Sequence, residues 1–168
     1  RALGPEHVLG QMVCAGGDEP IVLKSKRPAL EIGPDGFPLP PAELTMGYGA
    51  GNLRHYMECA RRSRAVLESI LAEQAIRLEA GQAMLDWGCA AGRVVRTFHE
   101  EAGRGCQVWG CDVDTAAIEW AQDHLSPPFR FFNCAALPHL PFADGTFRFI
   151  YGLSVFTHLV VFRDLWLL

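Results

Sequence analysis

The stretch Met84-Leu-Asp-Trp-Gly-Cys-Ala-Ala-Gly-Arg-Val-Val-Arg96 decides how this chain is read: an apolar run enters a turn of small residues and leaves into a segment of helical pattern. A short apolar run bounded by glycine predicts a buried strand over Ala83 to Trp87, and the pattern after the turn predicts a helix over Arg93 to Ala102. The same texture repeats downstream. Cys106 to Cys111 reads as a strand, Thr115 to Leu125 as a helix ended by Ser126-Pro127-Pro128, and Phe129 to Phe132 as a strand. Phe147 to Leu153 reads as another strand, and Phe156 onward as helical. Strand and helix in alternation imply an α/β fold, a parallel sheet covered on both faces.

Upstream, the apolar residues Leu53, Tyr56, Met57, Ala60, Val66, Leu67, Ile70, Leu71, Ala75 and Leu78 recur mostly at three- and four-residue steps. That spacing predicts one or two amphipathic helices between Asn52 and Ala80, closed by Gly81. Arg61, Arg62 and Arg64 within it read as a solvated face. Pro5, Pro20, Pro28, Pro34, Pro38, Pro40 and Pro41 leave the first segment room only for short extended pieces, so it reads as a wrapping arm. The expected organisation is an arm over residues 1–44, a helical lead-in over 45–80 and an α/β domain over 81–168.

A chain of 168 residues with 49% hydrophobic and 20% charged residues suits one globular domain and excludes wholesale disorder. The net charge of -4 argues against the broad basic surface that phosphate-backbone binding needs, so no nucleic-acid partner is expected. The six cysteines contain no C-x-x-C pair, hence no metal site is expected, and scattered thiols in apolar runs read as free in a reducing compartment. No run reaches the roughly 20 apolar residues of a membrane span, so the expectation is a cytoplasmic protein with no membrane partner. The chain starts at Arg1 and ends at Asp164-Leu-Trp-Leu-Leu168 inside an apolar pattern, and both ends read as cut.

In an open α/β sheet, ligands bind outside the carboxyl ends of the strands, and the first strand-to-helix turn is the usual place. Gly88 and Gly92 admit backbone conformations closed to other residues, while Cys89, Ala90 and Ala91 keep the turn narrow. The dinucleotide fingerprint G-x-G-x-x-G fails, because Ala90 and Arg93 stand where it needs glycine. An acid, a spacer and G-x-G-x-G with the middle glycine replaced does fit, as Asp86, Gly88, Ala90 and Gly92. On these residues, Leu85 to Arg93 resembles motif I of the class I (Rossmann-like) S-adenosylmethionine-dependent methyltransferases. Three later stretches add to the resemblance in the expected order: Val108-Trp-Gly-Cys-Asp-Val-Asp114, Phe131-Phe-Asn-Cys-Ala135, and Leu140 to Leu159, which contains Leu140-Pro-Phe-Ala-Asp-Gly-Thr-Phe147. Leu39-Pro-Pro-Ala-Glu-Leu44 is similar to the lead-in of some bacterial relatives. The family has Asp where this chain has Arg148.

The resemblance implies that Asp86 holds the amino-acid end of the cofactor, with Gly88, Cys89, Ala90 and Gly92 along its methionine and ribose. Asp112 would accept from both ribose hydroxyls and Val113 would pack on the adenine, while Asp114 suits a helix N-cap. Asn133, Cys134 and Ala135 would meet the adenine edge, with the register among them open. Leu153, with Gly152 and Ser154, would lie beside the methyl group. Tyr48 would sit over the cofactor mouth or serve as a packing anchor. His158 is the candidate general base or a helix-terminal histidine bonded to backbone. The implied function is methyl transfer from S-adenosylmethionine to a small-molecule acceptor, leaving S-adenosylhomocysteine. The alternative is a cofactor-binding but inactive domain or regulator; a nicotinamide-dependent oxidoreductase ranks last. The family fold continues with a fifth strand and an antiparallel pair, so the sequence is expected to hold only the first four strands. The last would be an exposed edge, covered by the missing segment, the arm, a homo-oligomer or a partner chain.

Overall fold

The computed structural model describes residues 7–12, 21–26, 30–45, 48, 52–159 and 162–166. Cys14, Pro5, Pro20, Pro28 and the glycines flanking Tyr48 lie outside these residues. The chain divides into two units, Arg1–Glu31 and Ile32–Leu168. In the first, β1 (His7–Met12) and β2 (Ile21–Lys26) pair antiparallel, with His7 opposite Lys26 and Met12 opposite Ile21.

The second unit is built on a parallel sheet of β3 (Ala83–Trp87), β4 (Gln107–Asp112), β5 (Arg130–Asn133) and β6 (Phe149–Tyr151), in the order β5-β4-β3-β6. All five residues of β3 are buried, as an apolar run between two neighbours must be. Asp86 is the exception in type. It stands in register with Gly110 on one side and Tyr151 on the other. Side-chain alternation sends Met84, Val108, Phe131 and Tyr151 into one core and Leu85, Trp87 and Cys111 into another. Into the first pack α1 (Leu53–Glu73), a 3₁₀ turn (Val95–Phe98) and α3 (Thr115–Leu125), through Leu67, Leu71, Val95, Phe98, Ile118 and Leu125. α2 (His99–Gly103) continues the 3₁₀ turn. The second core is closed by Leu140, Phe147, α4 (Val155–His158) and α5 (Arg163–Trp166). Trp87 lies at its centre, with ring centroids 5.2 Å from Phe156 and 4.5 Å from Trp166. The architecture is therefore the doubly covered α/β sheet of a Rossmann-like fold.

Some elements differ from the expectation. The lead-in is one helix, capped by Asn52, whose side chain accepts from His55 N at 3.1 Å. It ends at Glu73, short of Ala80, because Ala75 takes φ 51° and the Ile76 N–H returns to the Leu71 carbonyl at 2.8 Å. That is a left-handed helix terminus with alanine in the glycine position. Val66 and Ile70 face solvent, and the buried stripe is Tyr56, Met57, Ala60, Leu67 and Leu71. The helix expected over Arg93 to Ala102 is divided into the 3₁₀ turn and α2; within it the Thr97 hydroxyl donates to the Val94 carbonyl at 2.6 Å.

The reading of the arginine cluster as a solvated face holds for exposed Arg61 and Arg62 and fails for Arg64. Its guanidinium donates to Glu68, twice to Glu101 and to the Thr97 carbonyl, and lies 3.9 Å from the Phe98 ring centroid. Helical spacing cannot separate a solvated arginine from one that clamps the next element. Arg96 makes a stronger tie. Fully buried, it donates to both Asp35 carboxylate oxygens at 2.6 and 2.7 Å and to the carbonyls of Phe37 and Pro38 at 2.8 Å. This fixes the proline-rich strap, whose Ile32 bridges Pro38 and whose Gly33 N–H donates to the Phe37 carbonyl.

Candidate functional site

β3 and β4 end side by side, and the turn after β3 folds back over the end of β4. The N–H groups of Gly88 and Cys89 both donate to the Cys111 carbonyl, at 2.8 and 2.9 Å. Gly88 has φ 81° and a Cβ on it would lie 2.5 Å from Val155 Cγ2, so only glycine fits. Ala90 accepts φ 48°, a left-handed conformation that the replaced glycine would have taken more easily. Its N–H donates to Asp112 Oδ2 at 2.7 Å, and Asp114 N–H donates to Asp112 Oδ1 at 3.0 Å. Two backbone amides thus orient the Asp112 carboxylate, which keeps lone pairs for a ligand. Asp114 caps α3 by accepting from Ala117 N at 3.2 Å.

These strand ends open into a cavity of about 360 Å³, within the size range of small-ligand sites. It sits at the carboxyl ends of the sheet, where the chain, having run outward through β4 and β5, returns to β3's other side as β6. Of the residues expected at a cofactor site, Asp86, Gly88, Cys89, Ala90, Asp112, Val113, Cys134, Ala135, Leu153 and Tyr48 line it, as does His158. Gly92 and Asn133 are not among the lining residues. Gly92 stands behind the turn at φ 77°, where a Cβ would come 2.8 Å from Leu125 Cδ1, so its role here is packing. The Asn133 amide is turned toward the Asp112 carbonyl and Thr115 Oγ1, at 3.4 and 3.3 Å. Of the three residues among which the sequence leaves the register open, Cys134 and Ala135 line the cavity.

Ser154, expected beside Leu153, also lines the cavity, and so do Leu44, Thr45, Tyr56 and Arg93, to which the sequence assigns no site role. Tyr56 belonged to an amphipathic stripe, where an aromatic reads as core, and Arg93 to the start of a helix. Only the approach of α1 and the strap to the turn gives these residues a place at a ligand. Ser154 has φ 64°, a strained backbone for a non-glycine residue, at the junction of β6 and α4.

Desolvation sets the electrostatics. Burial pushes the Asp86 carboxyl up from 3.8 to about 7; proximity to the Tyr151 hydroxyl and the Arg93 guanidinium opposes the shift, and Asp112 adds to it. The Tyr151 hydroxyl, itself raised by burial, closes no hydrogen bond of regular geometry among the described residues. Burial, with Asp86 and Asp112 nearby, pushes the Cys89 thiol well above its ordinary value, so it lines the cavity as a neutral group. The described cysteines Cys59, Cys89, Cys106, Cys111 and Cys134 are all free thiols.

A parallel sheet with a small-residue turn, two acids at adjacent strand ends and a ligand-sized cavity beside them defines a Rossmann-like fold with a candidate binding site, and comparison with known families gives the class. Residues 84–165, about half of the chain, match the family described as "Methyltransferase domain". This segment belongs to the class I, Rossmann-like S-adenosylmethionine-dependent methyltransferases, a family whose members generally use that cofactor. Among solved structures, the chain is similar to one in a complex that contains the Haloferax volcanii Trm112 methyltransferase activator, at 18% identity and a TM-score of 0.41. That match covers 60% of this chain and 46% of the other, so the chain spans about half the length of that relative. No helix among the described residues is long and apolar enough to cross a membrane.

Proposed function

We propose that this protein transfers a methyl group from S-adenosylmethionine to a small-molecule acceptor. The observation that carries the reading is the Asp112 carboxylate, held at the cavity by the Ala90 and Asp114 amides with acceptor capacity to spare. A pair of adjacent ribose hydroxyls is the kind of donor such a fixed carboxylate takes. Val113, Cys134 and Ala135 would flank the base, and Asp86 would take the ammonium at the amino-acid end. The turn from Gly88 to Ala90 offers backbone that a ligand can approach closely.

When bound, the cofactor supplies a methyl group activated on a sulfonium. The protein's part is to orient the acceptor in line and to exclude water. Leu153, Ser154 and Val155 form the wall from β6 into α4 that would flank the reacting atoms. His158 lines the same cavity and is the candidate base for a hydroxyl or amine acceptor. On its outer side β6 pairs with no strand among the described residues, and Ile150 there is half-exposed. In this reading a further strand, a second copy or a partner chain covers that edge.

The test is calorimetric titration with S-adenosylhomocysteine and, separately, with NAD. S-adenosylhomocysteine should bind, NAD should not, and Asp112→Ala should weaken the former by at least about tenfold, the value of one strong charge-assisted hydrogen bond. Absence of binding by the wild-type protein would refute the reading.

A further inference from the structure

Arg64, Arg93 and Arg96 all sit in the unit that carries the cavity, each with its guanidinium largely out of water, and they differ in how they are neutralised. Arg96 is saturated by the Asp35 carboxylate and two carbonyls. Arg64 is saturated by Glu68, Glu101 and the Thr97 carbonyl. Arg93, only 9% exposed, makes one hydrogen bond, to Ser63 Oγ at 3.3 Å, and no ion pair among the described residues. A guanidinium has five N–H donors, so most of its capacity is unused. Its face lies 3.9 Å from the Tyr48 ring centroid, which holds it in position at the cavity wall without neutralising it.

Beside it on the same cavity stands Tyr56, on α1 and 1% exposed, whose buried hydroxyl has no hydrogen-bond partner among the described residues. A buried hydroxyl without a partner costs stability, and so does a buried cation without a counter-ion. Both costs are removed by one ligand group that is anionic and accepts several hydrogen bonds. The third charged group of this end is Asp86, close enough to Arg93 for the two to interact. A ligand bearing only a phosphate would meet that carboxylate unfavourably. One bearing both a carboxylate and an ammonium would satisfy all three.

We propose that Arg93 and the Tyr56 hydroxyl form a carboxylate subsite that, opposite Asp86, completes a cradle for an α-amino-acid group. Resting on the cofactor reading above, this assigns to Arg93 and Tyr56 the carboxylate of the methionine end. The subsite is assembled from three separate segments: the helix α1 supplies Tyr56, the residue after the motif turn supplies Arg93, and Tyr48 of the lead-in fixes the guanidinium.

The experiment compares S-adenosylhomocysteine with its decarboxylated analogue, which keeps the ammonium and loses only the carboxylate, on wild type, Arg93→Gln and Tyr56→Phe. Wild type should prefer the intact ligand by at least about tenfold, as expected for a charge-assisted bidentate contact. Arg93→Gln should abolish most of that preference, and Tyr56→Phe should reduce it by about threefold to tenfold, with affinity for the decarboxylated analogue changed less than about twofold. Tyr56→Phe removes only an unpartnered oxygen, so it also serves where Arg93→Gln disturbs folding. Equal binding of the two ligands by wild type overturns the subsite while leaving the cofactor reading intact. Loss of both ligands in parallel in each variant, or a preference that survives both substitutions, overturns it too. Binding of neither ligand by wild type overturns both readings together.

Discussion

Replacing Asp86 by asparagine should change how stability depends on pH, and the structure fixes the sign. Asp86 is 3% exposed, and burial raises its carboxyl from 3.8 to about 7. A group that binds its proton more tightly in the folded state contributes stability below its unfolded pKa and loses it as pH rises toward the folded value. The window is therefore pH 3.8 to about 7. A rise of about three units corresponds to roughly 4 kcal/mol at full ionisation, of which about 2–3 kcal/mol is lost between pH 5 and pH 8. Urea unfolding of wild type and Asp86→Asn at both pH values would measure it. Wild type should lose about 2–3 kcal/mol more than the variant over this interval, with little change in m. Parallel pH profiles would show that Asp86 is not desolvated in the folded protein, and the electrostatic account of the site would fall. The same titration bears on binding, because an ammonium needs the ionised carboxylate: affinity for S-adenosylhomocysteine should fall below pH 7 in wild type, and a flat profile would argue against that pairing.

Two further outcomes concern the elements that hold the site. Asp35→Ala leaves the fully buried Arg96 without its counter-ion and should cost about 3–5 kcal/mol in chemical denaturation, whereas an Asp35→Leu, Arg96→Met double variant should recover part of this. Equal losses in the two would contradict a buried ion pair. At the end of α1, Ala75→Gly should raise stability by up to about 1 kcal/mol, because φ 51° strains alanine and not glycine. A lower melting temperature would sink that reading.

The strands were legible because their signals are local. Ala83 to Trp87 is apolar but for Asp86 and is bounded by Gly81 and Gly88, which is the local pattern of a buried strand. The turn residues were legible for a related reason: a narrow backbone path needs small side chains in consecutive positions, and Gly88 to Gly92 supply them. The ends of helices were less so. Ala75 carries no sign in its type that it would take a left-handed conformation, which is imposed by the return of Ile76 to the core.

Sequence by itself determined the parallel α/β sheet, the order of its motifs and the acids Asp86 and Asp112 at neighbouring strand ends, since each depends on residue type and short spacing. Tertiary structure alone decided which side chains share the cavity. Arg93 lies tens of residues beyond Tyr48 and Tyr56 in the chain, and nothing in that spacing tells a stacked, unpaired arginine from a solvated one. Gly92 and Asn133 show the converse: their types suited a ligand, while the packing of Leu125 and Phe131 and the bonds to Asp112 and Thr115 give them other work. Burial and partnership are properties of the packed whole, because a charge or a hydroxyl acquires its energy from what surrounds it in space and not from its neighbours in the chain.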